Sequence, residues 1–167
     1  MLSRKAAWAG SLAAIVLSAD VVSKRLAEEA LQPVHVPHDV IGDVVRFTLT
    51  YNPGAAFSMS LGAFSRWGFT ILALVVLVVL WRTYAEALPG DGMQGAALGL
   101  IAGGALGNLT DRLRHSAGVV DFIDVGIGDT RFWTFNVADM GVTQGAILLA
   151  LVMLRPSKPP TIPESVL

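Results

Sequence analysis

The sequence contains no cysteine and few charged residues, and both absences restrict what the protein can be. Without cysteine it forms no disulfide, has no thiolate metal ligand or cysteine nucleophile, and offers no thiol for lipid attachment. Charged residues make up 15% of the 167 residues, and the net charge of -1 gives no attraction for polyanions, so we expect no nucleic-acid partner. Apolar residues are abundant instead, at 53%, and the mean hydropathy is +0.60. The sequence therefore predicts one integral membrane domain.

The apolar residues are concentrated in four blocks, each a candidate membrane-spanning helix. The predicted spans are about 6–24, 64–84, 92–110 and 134–154. The first block has an alternative interpretation as a secretory signal peptide, because Arg4 and Lys5 precede it. Leu17 argues against cleavage, since a small residue is needed three positions before the cut. We therefore expect this segment to be retained as a span.

The predicted fold is an integral membrane, mainly α protein: a four-transmembrane-helix bundle with a small extracytoplasmic β-containing cap. We expect residues 1–154 to form one domain, with the cap at about 28–62 and 113–133, and 155–167 to be a flexible cytoplasmic tail. An even number of spans puts both ends on one side, and basic residues in short terminal segments favour the cytoplasmic side.

Two segments of the cap carry strand signals. Val45–Tyr51 alternates apolar and polar residues, which is typical of a half-buried strand, and Asn52-Pro53-Gly54 follows as a turn. Val119–Val125 and Thr130–Phe135 flank a short polar stretch and predict either a hairpin or a surface helix.

Glycine recurs every fourth residue in the third block. Gly95, Gly99, Gly103 and Gly107 fall on one helical face, a pattern that allows close packing of membrane helices. The favoured partner of this face is another helix of the same chain, and the alternative is a second copy of the chain.

Polar and ionisable residues lie near the span ends, where they are costly unless they have a function or a partner. Asp20 and Lys24 are spaced i and i+4, which predicts a structural ion pair. The exits of spans one and three and the entrances of spans two and four share one membrane face. The residues that converge there are Asp20, Lys24, Asn52, Asn108, Arg112, Asn136 and Asp139, with Asp121 joining them from the connecting segment.

Two carboxylates at one interface allow paired-acid chemistry, in which one carboxyl activates water and the other donates a proton. Spacing alone leaves the pair open, since Asp111, Asp124 and Asp129 are rival carboxylates. We expect no metal and no cofactor, because the three histidines lie outside any zinc-binding pattern.

Five motifs in order resemble the lipoprotein signal peptidases (signal peptidase II). They extend from the first span to the last, and their number and order make the resemblance specific. The motifs are Asp20-Val-Val-Ser-Lys24, Tyr51-Asn-Pro-Gly-Ala-Ala-Phe57, Gly103-Gly-Ala-Leu-Gly-Asn-Leu-Thr-Asp-Arg112, Val120-Asp-Phe122 and Phe135-Asn-Val-Ala-Asp139.

The resemblance implies a bacterial inner-membrane aspartic endopeptidase with its active site at the outer face. Such an enzyme cleaves diacylglyceryl-modified prolipoproteins on the amino side of the lipidated cysteine, and it is inhibited by globomycin-type cyclic peptides. We expect its other contacts to be membrane lipids and its state to be monomeric. By motif match Asp121 and Asp139 are catalytic, Asp20 and Lys24 support the site, and the substrate-binding positions are Asn52, Gly54, Asn108, Arg112, Asn136 and Ala138.

Two positions depart from the family pattern, and two other functions remain possible from the residues alone. Trp133 and Met140 stand where a proline and a small polar residue are expected, which affects local geometry and substrate preference. A proton-coupled transporter could use Asp20, Asp121 and Asp139 as a relay, but such proteins tend to place acids near the midplane. A non-catalytic scaffold built on the glycine face would leave the polar residues unexplained.

Overall fold

A computed structural model of the chain describes residues 2–53 and 64–155, and within them it has four long helices and one small antiparallel sheet. The range 2–53 contains α1 and the strands β1 and β2, and the range 64–155 contains the other three helices and two strands. The elements are α1 Arg4–Ala30, β1 Pro37–Ile41, β2 Val45–Asn52, α2 Ser65–Glu86, α3 Gly92–Arg114, β3 Val119–Ile127, β4 Thr130–Arg131 and α4 Val137–Met153.

Helix α3 is the centre of the bundle because its glycines let two helices approach closely. Gly95, Gly99 and Gly103 lie against the backbone of α1, and a Cβ on Gly103 would be 2.7 Å from the Ala13 carbonyl oxygen. Gly104, on another face, touches α4. The glycine face therefore packs within the chain, as favoured from the sequence.

Helix α2 packs mainly against α3 and leaves most of its apolar side chains exposed. Its exposed residues include Trp67, Ile71, Leu74, Val78 and Trp81. By length and hydropathy, α1 and α2 could each cross a membrane, while α4 is a shorter apolar helix of 17 residues. An apolar surface of this extent is stable when it faces lipid.

The carboxyl end of α2 is fixed by Lys5, which in the sequence is only one of the charges that precede the first apolar block. Lys5 is buried, and its ammonium donates to the carbonyl oxygens of Tyr84, at 2.6 Å, and Ala87. A cation at the carboxyl end of a helix satisfies free carbonyl groups and complements the helix dipole. Lys5 therefore ties the start of α1 to the end of α2.

The sheet has the order β1-β2-β3-β4, and it packs on the end of α1 that carries Asp20 and Lys24. Leu49 of β2 and Val120 and Phe122 of β3 form a core with Ala27 and Leu31. Successive side chains of a strand point to opposite faces. Asp121, between Val120 and Phe122, therefore points away from this core.

The helices and strands begin and end at other residues than the predicted span and cap boundaries. Residues 28–30, assigned to the cap, belong to α1, and 113–114 belong to α3, since both helices continue past their apolar segments. Helix α4 begins at Val137 rather than 134, because Asn136 caps it. The segment from 119 is a hairpin and not a surface helix, although β4 covers two residues and Phe135 forms an isolated bridge with Ile123.

Candidate active site

The polar residues predicted to converge do so at one end of the bundle, beneath the sheet. Helix α1 contributes Asp20 and Lys24, α3 contributes Asn108, and β3 and α4 contribute Asp121 and Asp139. Hydrogen bonds connect these side chains into one network through Asn108 and Asn136.

Asp139 is held by the start of α4. Asn136 is the N-cap: its Oδ1 accepts from the Asp139 backbone N–H at 2.9 Å, while Asp139 Oδ2 accepts from the Asn136 N–H at 3.2 Å. This reciprocal capping box uses two backbone donors that a helix start would otherwise leave unpaired. It also fixes the Asp139 carboxylate relative to the backbone.

The same asparagine reaches the second carboxylate. Asn136 is fully buried, and its Nδ2 donates to Asp121 Oδ1 at 2.6 Å and to the Val120 carbonyl oxygen at 3.2 Å. Asn52 Nδ2 lies 3.3 Å from Asp121 Oδ2. Thr50 pairs with Asp121 across the sheet, so Asn52 is its diagonal neighbour.

Asp121 is 3% exposed, and its pKa is raised from 3.8 to about 7. Burial is the main cause, and the negative charge of Asp139 is the second. The hydrogen bonds from Asn136 and Asn52 oppose the rise, since they favour the ionised carboxylate. The two carboxyls therefore interact, and a shared proton is available near neutral pH.

Asn108 connects Asp139 to a buried cation. Its Nδ2 donates to Asp139 Oδ1 at 2.8 Å, and its Oδ1 accepts from Lys24 Nζ at 2.8 Å. The same oxygen accepts from Asn136 Nδ2 at 3.1 Å. The amide orientation of Asn108 is thus fixed on both sides, so it can hold Asp139 in place.

Lys24 lies at the centre of a buried charge cluster. Its ammonium is 2.8 Å from both Asp20 Oδ2 and Asp111 Oδ2, which confirms the predicted i, i+4 pair and adds a second carboxylate. Asp20 is fully buried, and its Oδ1 accepts from the Ala138 N–H at 2.8 Å. The cluster therefore links α1, α3 and the first turn of α4.

Arg112 lies next to the carboxylates at the end of α3. Its Nη1 donates to the Asn108 carbonyl oxygen at 3.1 Å, and its guanidinium is 5.7 Å from the Phe69 ring centre. Its Nε is buried, and within 2–53 and 64–155 it has no hydrogen-bond partner. Arg112 is therefore held between the end of α3 and Phe69 of α2, beside the carboxylates of Asp139 and Asp121.

Asp111, one of the rival carboxylates and a member of the third motif, has a structural place in the site. It pairs with Lys24, and its Oδ2 accepts from the Val120 N–H at 3.1 Å, next to Asp121. Its position three residues after Asn108 places it on the same side of α3, and this spacing is the sequence feature that could have assigned it to the site. Arg66 was also missed: its Nε donates to the Arg112 carbonyl oxygen at 2.6 Å and joins α2 to α3.

The remaining candidates lie elsewhere. Asp124 pairs with Arg131 at 2.7 Å, and Asp129 is exposed in the β3–β4 turn. The ring of His115 is 6.4 Å from that of Tyr51, outside the carboxylate network. Gly54 lies outside the described residues, as does most of the predicted tail.

Residues 12–155 match the family model described as signal peptidase (SPase) II. The chain belongs to the signal peptidase II family. Signal peptidase II enzymes are hydrolases that cut peptide bonds, so this membership identifies the chain as a protease. The resemblance read from the five motifs is therefore confirmed.

Two curated relatives and one solved structure give the extent of the similarity. The lipoprotein signal peptidase of Mycobacterium avium (strain 104) is 42% identical over 151 residues, covering 86% of this chain and 77% of the relative. That of Hydrogenovibrio crunogenus (strain DSM 25203 / XCL-2) is 40% identical over 156 residues, covering 90% and 87%. A bacterial membrane enzyme solved by the in meso method at 2.3 Å resolution has a TM-score of 0.80 at 28% identity, covering 92% of this chain and 93% of that chain. Together with the apolar helices, these matches identify an integral membrane, mainly α signal peptidase.

Proposed function

We propose that the chain is an aspartic endopeptidase that removes signal peptides from diacylglyceryl-modified prolipoproteins, on the amino side of the lipidated cysteine. The observation that carries the proposal is the pairing of Asp121 and Asp139 through Asn108 and Asn136. The names of its relatives, lipoprotein signal peptidases, support the substrate class.

In this proposal the two carboxyls share one proton and have different roles. Asp121, with its pKa raised to about 7, holds the proton and donates it to the scissile carbonyl oxygen. Asp139 accepts hydrogen bonds from Asn108 and the Asn136 backbone, which orient its carboxylate, and it takes a proton from the attacking water. The tetrahedral intermediate then collapses: the proton held by Asp139 passes to the leaving nitrogen as the C–N bond breaks, and Asp121 takes a proton back from the hydroxyl group formed from the carbonyl oxygen.

The substrate-binding role is assigned to the groups around this pair. The guanidinium of Arg112, beside the carboxylates, can bind a peptide carbonyl group, while Asn108 and Asn136 orient the carboxyls. Asn52 contacts Asp121, and its proposed role in substrate binding rests on the motif match. The N–H of Ala138 is already bound to Asp20, so Ala138 shapes the wall of the site. Gly54 keeps its proposed role on the motif match alone, and Asp20 and Lys24 support the site.

The proposed membrane arrangement has four spans, both ends in the cytoplasm of a bacterium, and the site at the outer face of the inner membrane. It is supported by the position of the polar network at one end of the helices, beside the sheet. A lipid anchor would hold the substrate cysteine at headgroup depth, level with this network. The sheet would then cover the peptide and exclude bulk water.

The proposal is tested with the purified protein and a diacylglyceryl-modified precursor. We expect cleavage directly before the modified cysteine, and no cleavage of the same precursor without the lipid. Globomycin should block the reaction. Failure to cut the modified precursor, with a folded sample, would overturn the proposal, and equal cutting of both precursors would overturn its lipid requirement.

The proposed mechanism uses carboxyl groups and no metal ion. We therefore expect the cleavage rate of the protein as purified to be the same with and without EDTA, and to stay the same when divalent cations are added back. A rate that falls with EDTA and returns with one divalent cation would contradict the paired-acid mechanism while leaving the family assignment intact.

A further inference from the structure

A cavity of about 370 Å³ lies at the end of the bundle opposite the carboxylates, and the proposed peptidase reaction does not use it. It is formed by the start of α1, the α2–α3 connection, the start of α3 and Arg155, just beyond the C-cap of α4. Its lining includes Arg4, Trp8, Asp91, Gly92, Met93 and Arg155. Residues far apart in sequence thus bring two guanidinium groups to one place.

Both arginines are available to a ligand. Arg4 and Arg155 are exposed, and in the part of the chain that the structure describes neither forms an ion pair. Arg155 contacts the sulfur of Met93. The one carboxylate of the lining, Asp91, accepts from the Gln94 backbone N–H at 2.9 Å as the N-cap of α3. Two cations and one carboxylate leave a net charge of about +1, which suits a singly charged anion.

The surfaces that lead away from the cavity are apolar. On α1, Trp8 and Ile15 fall on the face of Arg4, at i+4 and i+11, and they are 50% and 60% exposed. On α4, Leu151 and Ile147 precede Arg155 by four and eight residues and are 55% and 58% exposed. Each arginine therefore stands at the end of an apolar stripe that runs into the membrane. An indole at the interface suits the boundary between headgroup and acyl chains.

The geometry points to a binding site for one anionic phospholipid, whose phosphate lies between Arg4 and Arg155 and whose acyl chains follow the stripes of α1 and α4. Guanidinium groups bind phosphate oxygens with strong, charge-assisted hydrogen bonds. The lipid would join the start of α1 to the end of α4, two helices that share far fewer contacts with each other than either shares with α3. The inference rests on the membrane location of the chain and is independent of its catalytic mechanism.

The test is native mass spectrometry of the full chain in detergent, titrated with dioleoyl phosphatidylglycerol or with dioleoyl phosphatidylcholine. The two lipids have the same acyl chains and differ in headgroup charge. We expect tighter binding of the phosphatidylglycerol. Arg4→Gln and Arg155→Gln should each weaken it about tenfold, as expected for one lost hydrogen bond to a charged group.

Arg82→Gln is the matched control, because Arg82 is an exposed arginine near the same end of the bundle but outside the cavity. We expect it to bind phosphatidylglycerol like the unmodified protein, and circular dichroism should show equal helix content in all variants. Equal binding of the two lipids by the unmodified protein, or an equal loss in Arg82→Gln, would overturn the site. Complete displacement of the lipid by inorganic phosphate at millimolar concentration would show a simple anion site and overturn its lipid identity.

Discussion

The two ends of the α1–α3 pair are built on opposite principles. Near Lys5 and Ala9, the helices meet through glycine, with backbone against backbone. Near Asp20 and Lys24, they meet through buried charges that bond to one another. Both solutions place α3 next to α1, but only the second provides reactive groups.

The comparison shows what a buried polar site requires. A contact between glycine and a neighbouring backbone requires only that the two surfaces fit. Each buried polar atom, by contrast, needs a hydrogen bond to offset its loss of water. Lys24 meets this condition with three acceptors at 2.8 Å, from Asp20, Asp111 and Asn108. The polar end is therefore more specific in its geometry, and more sensitive to the loss of any member.

The largest expected effect is on the chemistry of the polar end. Asp121→Asn and Asp139→Asn should each reduce cleavage by at least about a hundredfold and up to ~10⁴-fold, because each removes one proton-transfer group. The measurement is single-turnover cleavage of the modified precursor. Asp129→Asn, an exposed carboxyl in the β3–β4 turn, is the matched control and should retain its rate. Substantial turnover by either dyad variant would refute the assignment of the pair.

The next effect is on the stability of the same end. Lys24→Ala leaves Asp20 and Asp111 without their cation, and removal of one partner of a buried ion pair costs ~3–5 kcal/mol. We expect a clear drop in the unfolding temperature in detergent. Arg25→Ala, which changes the exposed neighbouring residue, should leave it nearly unchanged. Equal unfolding temperatures for the two variants would show that the cluster contributes no net stability.

At the apolar end, Gly99→Ala tests the close approach. The added Cβ would lie 2.9 Å from the Cα of Ala9, so α1 and α3 must separate, at a cost of ~1–3 kcal/mol. Gly10→Ala adds the same methyl group to α1 where nothing lies within 4 Å, and it should be neutral or slightly stabilising. Thermal unfolding of both variants measures the difference, and a Gly99 variant as stable as the Gly10 variant would contradict the packing.

The smallest effect is a shift in pH dependence. Asp121 must be protonated in the proposed mechanism, so the cleavage rate should fall as pH rises through about 7. Its pKa in the folded protein exceeds the unfolded value of 3.8, so its contribution to stability also decreases between pH 3.8 and about 7. Asn52→Ala removes a hydrogen bond that lowers this pKa, so the fall in cleavage rate on the alkaline side of the pH profile should move to higher pH. If the pH at which the cleavage rate falls were the same in Asn52→Ala as in the unmodified protein, Asp121 would be excluded as the group that causes the fall.

Much of the site could be predicted from the sequence because the order of the apolar blocks determines which helix ends lie on the same side. Counting apolar blocks places Asp20, Asn108 and Asp139 at one membrane face whatever the orientation, and the structure brings them together. The five motifs added the choice of Asp121 over Asp124, which spacing alone left open. In the structure these two differ by their partners, since Asp124 is paired with Arg131 and Asp121 lies beside Asp139.

What the sequence determined by itself is the membrane class, the helices, the glycine face and the family, because each depends on local composition, period or ordered motifs. Tertiary structure decided the four-stranded sheet, the triple contact of Lys24 and the double role of Asn136. These depend on which distant segments meet: Thr50 pairs with Asp121 across 71 positions of sequence. Periodicity identifies the face that a residue occupies, but the partner is selected by packing, because every buried polar atom must find its hydrogen bond in three dimensions.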